Sequence, residues 1–200
     1  MKTYFKHTSL AVGFALLTIC PIQSRATNEQ LDTDLFNAVV NQEPKKVDDL
    51  LKQGASPDAT RGQGTTALMR AIRYNPAEAK KIAQLLINAG ANVNAKNELG
   101  QTVLMYAAAS KGPDSKEIVE LLLDKGAKVN EKDGKNKTAL MMAAKSGSKE
   151  IVDLLIKNKA NVNARDKNKK TALDYALDYA KDPKVAEIIR KTMEKVGEGE

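Results

Sequence analysis

The chain has 200 residues, 42% of them hydrophobic and 28% charged, with a net charge of +7. That is room for one ordinary domain, and the balance excludes a disordered, collagen-like or multi-span membrane chain. One Cys and one His in the whole length leave no disulfide framework and no metal site built from several such ligands.

The first 26 residues differ from the rest. Lys2 and Lys6 give a basic start, Leu10 to Cys20 is a nearly apolar run, and Ser24-Arg25-Ala26 places small residues where a signal peptidase reads. This is the order of a cleaved secretory leader. The alternatives are an uncleaved anchor, which needs about 20 apolar residues, and lipidation at Cys20, against which Ile19 stands where such sites carry a small residue. Removal of 1–26 leaves 29 Lys+Arg against 25 Asp+Glu, a net +4. It also removes His7 and Cys20, so the mature chain, starting near Thr27, holds neither residue type.

After residue 26 one unit recurs. Thr66-Ala67-Leu68-Met69, Thr102-Val103-Leu104-Met105, Thr138-Ala139-Leu140-Met141 and Thr171-Ala172-Leu173-Asp174 stand 36, 36 and 33 residues apart. Leu35-Phe36-Asn37-Ala38-Val39 matches Leu68 to Ile72 one unit earlier. A second signature closes each unit: Gly54-Ala55-Ser56-Pro57-Asp58-Ala59, Gly90-Ala91-Asn92-Val93-Asn94-Ala95, Gly126-Ala127-Lys128-Val129-Asn130-Glu131 and Lys159-Ala160-Asn161-Val162-Asn163-Ala164.

Two motifs recurring in register over residues 31–196 resemble the ankyrin-repeat family, with Ala or Val for the motif's proline and Met69, Met105 and Met141 for its histidine. The resemblance implies an all-α solenoid of about five helix–turn–helix units joined by β-turn or hairpin loops. The expected division is a leader over 1–26, an N-terminal capping repeat over 27–60, repeats over 61–96, 97–132 and 133–165, and a C-terminal capping repeat with its tail over 166–200.

Physical chemistry supports each part of the unit. The Thr66-type residues can cap a first helix. Leu140, Ala143 and Ala144 present small side chains that let neighbouring helices approach, and Ile151, Val152, Leu154, Leu155 and Ile156 form a broad apolar second helix. Gly90 and Gly126 suit a left-handed helix stop, where Lys159 adds strain. Three extra residues near Asn75-Pro76-Ala77 and Lys111-Gly112-Pro113 lengthen the loops between helices, either as tolerated variation or as a contact ridge. Residues 27–34 are polar and lead into an atypical first unit. Val185, Ile188 and Ile189 make a docking face on a last helix from about Pro183 to Lys195, ahead of a frayed tail at 197–200.

Catalytic chemistry finds little footing. Without His or Cys in the mature chain, Ser-His-Asp and Cys-His mechanisms are excluded. Ser146-Gly147-Ser148-Lys149 matches S-x-x-K but lacks that motif's companion elements. Asp133-Gly134-Lys135-Asn136 lacks the downstream ligands of a calcium loop and reads as the unit's turn. The expectation is therefore a non-enzyme without cofactor or metal. Basic turns at Lys135-Asn136-Lys137 and Lys167-Asn168-Lys169-Lys170 raise nucleic acid, or an anionic wall or membrane surface, as ligands. A net +4, few aromatics and export argue against nucleic acid.

The family resemblance implies binding through turn tips and the exposed side of the first helices. By position, the tips are Arg61, Gln63 and Thr65; Glu98, Leu99 and Gln101; Lys135 and Lys137; Lys167 and Lys170. Outward first-helix positions are Arg70, Tyr106, Met142 and Tyr175, followed a turn later by Arg73 and Tyr74, Ala109 and Ser110, Lys145 and Ser146, and Asp178 and Tyr179. Tyr and Arg are common interface anchors, although a tyrosine can equally cover the neighbouring unit with its hydroxyl at the surface. An apolar Leu99 on a tip has little structural reason. Exported proteins similar to this one include self-protection factors that restrain a bacterium's own peptidoglycan-cutting enzymes. The expected role is thus a monomeric periplasmic binder of one or more exported proteins, such as a cell-wall peptidase, without stable membrane insertion. The alternative is a secreted, extracellular effector or scaffold acting on host proteins.

Overall fold

The computed structural model describes residues 21–73, 77–180 and 183–197. Most of the expected leader, Tyr74, the Asn75-Pro76 pair and the last three residues lie outside them. Ten helices and one short hairpin follow in order: α1 (Pro21–Val40), α2 (Pro44–Lys52), β1 (Thr60–Arg61), β2 (Thr65–Thr66), α3 (Ala67–Arg73), α4 (Ala79–Asn88), α5 (Val103–Ala109), α6 (Ser115–Asp124), α7 (Ala139–Ser146), α8 (Lys149–Lys157), α9 (Ala172–Tyr179) and α10 (Pro183–Gly197). The odd-numbered helices pack successively on one another, as do the even-numbered ones, giving two helical layers that run the length of a stack.

The repeated threonines start the first helices. Thr66, Thr102, Thr138 and Thr171 accept the amide N–H three residues on, at 3.1–3.4 Å, satisfying an N–H that has no partner within the helix. In the last unit Asp174 replaces the methionine. Its carboxylate takes the Thr171 N–H at 2.7 Å and the Thr171 hydroxyl at 2.8 Å, completing a capping box. Those two bonds, chiefly that from the Thr171 N–H, keep the Asp174 carboxyl below the usual carboxylate range. Met69, Met105 and Met141, at the same position, are at most 2% exposed and fill the stack's interior.

The second helices supply the other half of the core. Val47, Ile82, Ile118, Ile151 and Val185 are all 0–1% exposed. Each of α2, α4, α6 and α8 ends in a Schellman turn, in which Ala55, Ala91, Ala127 and Ala160 donate to Leu50, Leu86, Leu122 and Leu155. The residue before each alanine lies in the left-handed region. Three are glycines, and the fourth is Lys159 at φ +64°. The strain expected there is present.

The 110–114 loop between α5 and α6 is longer than the two residues between α7 and α8, while the insertion expected at Asn75-Pro76-Ala77 lies mostly outside the described residues. The first unit departs most from the expected pattern. The polar residues 27–34 lead into the first unit as helix, part of α1, which is 20 residues long. Thr33 occupies the capping position of later units, yet the chain there is already helical. Residues 28–34 contain no Gly or Pro to stop the helix, Gln30 supports Asp34 at 2.9 Å, and Leu31 packs on the core.

Candidate partner-binding surface

The turns that join units are built from one polar residue each. Asn97 Oδ1 accepts the Leu99 and Gln101 N–H groups, Asp133 Oδ1 those of Lys135 and Lys137, and Asp166 Oδ1 those of Asn168 and Lys170, all at 2.8–3.1 Å. These three side chains are buried. A short side-chain acceptor folding its own downstream backbone is an Asx turn. The Asp133 segment, faintly like a calcium loop in sequence, is therefore a turn. The first of the four tips is different. Arg61 stands where the others carry Asn or Asp, and the hairpin closes through Gly62, Gln63 and Gly64, all at positive φ.

Backbone bonds link neighbouring tips. Glu98 donates to the Gln63 carbonyl at 3.0 Å, Gly134 to the Leu99 carbonyl at 2.8 Å, and Lys167 to the Lys135 carbonyl at 3.0 Å. The approach at the middle junction requires glycine. A Cβ on Gly100, at φ +74°, would stand 2.9 Å from the Gly134 nitrogen. Arg61, Gln63, Glu98, Leu99, Lys135 and Lys167 are exposed along this ridge, while Thr65, Gln101, Lys137 and Lys170 are half-buried beside it.

A second ladder runs where one unit's closing signature meets the next. Asp58, Asn94 and Asn130 accept the backbone N–H of Asn92, Lys128 and Asn161, each at 2.8 Å. Asn94 and Asn130 also donate to the Gly126 and Lys159 carbonyls, both at 3.0 Å. Sequence reasoning placed these residues in turns but missed that they bind the following unit. It also missed the Asn97, Asp133 and Asp166 anchors. Recurrence of a short polar residue at 36- and 33-residue spacing was the available signal.

The first-helix positions divide sharply. Tyr175, expected to face outward, is 5% exposed, and its hydroxyl donates to Asp166 Oδ2 at 2.9 Å. It is a core residue that locks the last turn, so it offers no free aromatic face. Burial and the bond to Asp166 push its hydroxyl up to about 12. Burial alone would raise the Asp166 carboxyl, but the Lys170 N–H, the Tyr175 hydroxyl and the Asn168 N–H together hold it below the usual carboxylate range. Tyr106 makes the equivalent contact less deeply. It is half-buried, donating to Gln101 Oε1 and accepting from Asn97 Nδ2, both at 3.1 Å. Met142 has no hydroxyl to reach Asp133 and leans half-buried against the core. Arg70 is half-buried and Arg73 exposed, the Arg73 guanidinium 6.0 Å from the Tyr106 ring centre.

At the far end Tyr179 is 52% exposed, its ring 5.9 Å from that of Tyr175. Lys145 and Lys170 hold their ammonium groups 5.0 and 6.0 Å from it, and Lys170 also pairs with Asp178 at 2.7 Å. Between the middle tips an open cavity of about 370 Å³ is lined by Glu98, Leu99, Gln101, Asp133, Gly134, Lys135, Lys137 and Met142. Sequence reasoning singled out six of these eight as partner contacts and read Asp133 and Gly134 as the unit's turn.

The S-x-x-K segment is not assembled for catalysis. Ser146 Oγ donates to the Ala108 and Ala143 carbonyls, and Lys149 pairs with Asp153 at 3.1 Å. A cavity of about 420 Å³ beside it, between the 110–114 loop and Ser148, is open and polar. Among the described residues no group of three or more His, Cys, Asp or Glu is placed to hold a metal, and no helix is long and apolar enough to cross a membrane.

Residues 35–133 and 130–196 match the family model of ankyrin repeats in three copies. The chain is an ankyrin-repeat protein. No curated protein matches it. Membership carries the all-α repeat solenoid and the general role of the family, a protein-interaction module that is not usually an enzyme. In this ankyrin protein backbone bonds link the four tips, and side-chain bonds tie Gln101 to Tyr106 on α5 and Lys170 to Asp178 on α9.

Proposed function

We propose that this ankyrin-repeat protein is exported and captures a partner protein on the side formed by its turn tips and first helices. Its favoured form is an inhibitor or protector that occupies an exported enzyme, with a cell-wall peptidase as the target. The observation that supports the binding face is the tip ladder, whose backbone bonds join the tip of the 52%-exposed Leu99 to that of Lys135, and the tip of Lys135 to that of Lys167. Rigid presentation lowers the ordering cost of association. The leader-like residues 1–26 support export to the periplasm.

The test has two parts. Intact mass of the exported protein should correspond to residues 27–200 without lipid; a lipid-modified Cys20, or a retained leader, rejects the leader reading. Purified mature chain on beads should retain a partner from periplasmic extract, and Leu99→Ala with Lys135→Glu should release it while Glu187→Ala on α10 does not. Adding the mature chain to the retained enzyme should lower its peptidoglycan-cleaving rate. A partner that survives the tip variants and leaves with Glu187→Ala places the interface on the opposite side. An unchanged rate rejects inhibition.

A further inference from the structure

The geometry points to a specific occupant for the cavity between the two middle tips: an apolar side chain on a partner segment whose flanking residues are acidic. This rests on the tip-face reading above and narrows it to one place and one chemistry. The cavity's volume, about 370 Å³, lies at the low end of small-ligand sites and accommodates one large side chain. Its apolar contribution comes from Leu99 and Met142. The Leu99 carbonyl is already satisfied by the Gly134 N–H, so its backbone is closed to a partner strand while its side chain stands 52% exposed. An apolar side chain settling between Leu99 and Met142 removes water from both.

The rim selects charge. Lys135 is exposed and Lys137 half-buried, and among the described residues neither lies within 4.0 Å of a carboxylate. Lys137 holds its ammonium 5.3 Å from the Tyr175 ring centre and also acts on the buried Asp166 carboxylate of the next turn. Lys167 continues the basic edge on the next tip. Asp133 lines the same space but is buried, with Oδ1 committed to the Lys135 and Lys137 N–H groups. Glu98 is the one exposed carboxylate among the lining residues. Lys135, Lys137 and Lys167 are the charges a partner can reach beside the exposed Glu98, while the Asp133 and Asp166 carboxylates keep theirs buried beneath the turns, so ion pairing at the rim favours an acidic segment over a basic one. A polyanion surface without apolar side chains would leave Leu99 and Met142 uncovered, which argues against a lipid headgroup layer or nucleic acid.

The mature chain, isotopically labelled, should be titrated with acetyl-Glu-Leu-Glu-amide and followed by amide and methyl NMR. Shifts should concentrate at Leu99, Gly134 and Met142. Acetyl-Glu-Ala-Glu-amide should bind at least about tenfold more weakly, since it lacks the apolar side chain. Acetyl-Lys-Leu-Lys-amide should not bind, and Lys135→Glu should abolish the acidic peptide's shifts while the remaining spectrum stays folded. No shifts from the acidic peptide, or equal shifts from the basic one, overturn the proposal. So does a preference of the same residues for phosphatidylglycerol vesicles over the peptide. Shifts that fall around Tyr106 or Tyr179 instead overturn the cavity assignment and leave tip-face capture standing. A bead-bound partner that survives both tip variants removes the face itself.

Discussion

Replacing Tyr175 by Phe keeps the ring that fills the last unit and deletes the hydroxyl that donates to Asp166 Oδ2 at 2.9 Å. The ring is 5% exposed, so water does not readily replace the lost donor. Asp166 keeps two backbone N–H bonds on Oδ1 but loses this partner on Oδ2. A hydrogen bond to a charged group contributes about 1.5–3 kcal/mol. Tyr175→Phe should therefore cost about 2 kcal/mol near neutral pH, or about 4–8 °C in melting temperature for a chain of this size.

The pH dependence has a definite sign. The folded hydroxyl titrates above its unfolded value, so its contribution is complete below about pH 10 and is lost as pH rises through about 12. The charged groups facing it are Asp166, Lys137 and Lys170, and the Tyr179 phenol lies beside it. Lysines also titrate in this window, but they are common to both proteins, so the informative quantity is the difference between wild type and Tyr175→Phe. Urea midpoints measured from about pH 8 to about pH 11 should show that difference shrinking. A constant difference would mean that the hydroxyl is not held by Asp166. No difference at any pH would mean that Tyr175 faces outward, as its repeat position suggested.

Three further outcomes are expected. Lys159→Gly should stabilise the fold by about 0.5–1 kcal/mol, read as a higher urea midpoint, because a left-handed φ costs an L-residue about 1–2 kcal/mol and glycine returns part of that gain as unfolded-state freedom. Gly100→Ala should destabilise by about 1–3 kcal/mol and speed hydrogen exchange at the Gly134 amide, since the new Cβ drives against that nitrogen; unchanged exchange would mean the tips are not coupled. Asn94→Ala should cost about 1 kcal/mol and expose the Lys128 amide to exchange, because one side chain serves both Lys128 N–H and the Gly126 carbonyl.

The repeat was legible because its determinants are local. A threonine before Ala-Leu-Met caps a helix whatever surrounds it, and glycine after a helix takes a left-handed turn for reasons confined to its own backbone. The same locality made the long 110–114 loop and the strain at Lys159 readable from spacing and residue type. The tips Leu99, Lys135 and Lys167 were also found by register, since a solenoid brings equivalent positions to one side. Burial was not legible at the same resolution. Arg70, Tyr106, Met142 and Tyr175 occupy one repeat position, yet Tyr175 is core while the others are half-buried. Nine residues upstream, Asp166 accepts the Tyr175 hydroxyl, whereas Asn97 only donates to that of Tyr106 and Asp133 meets a methionine that cannot donate. Sequence fixed which residues recur; the stack decided which of them stay at the surface, because a side chain's exposure is set by partners from the adjoining turn and unit.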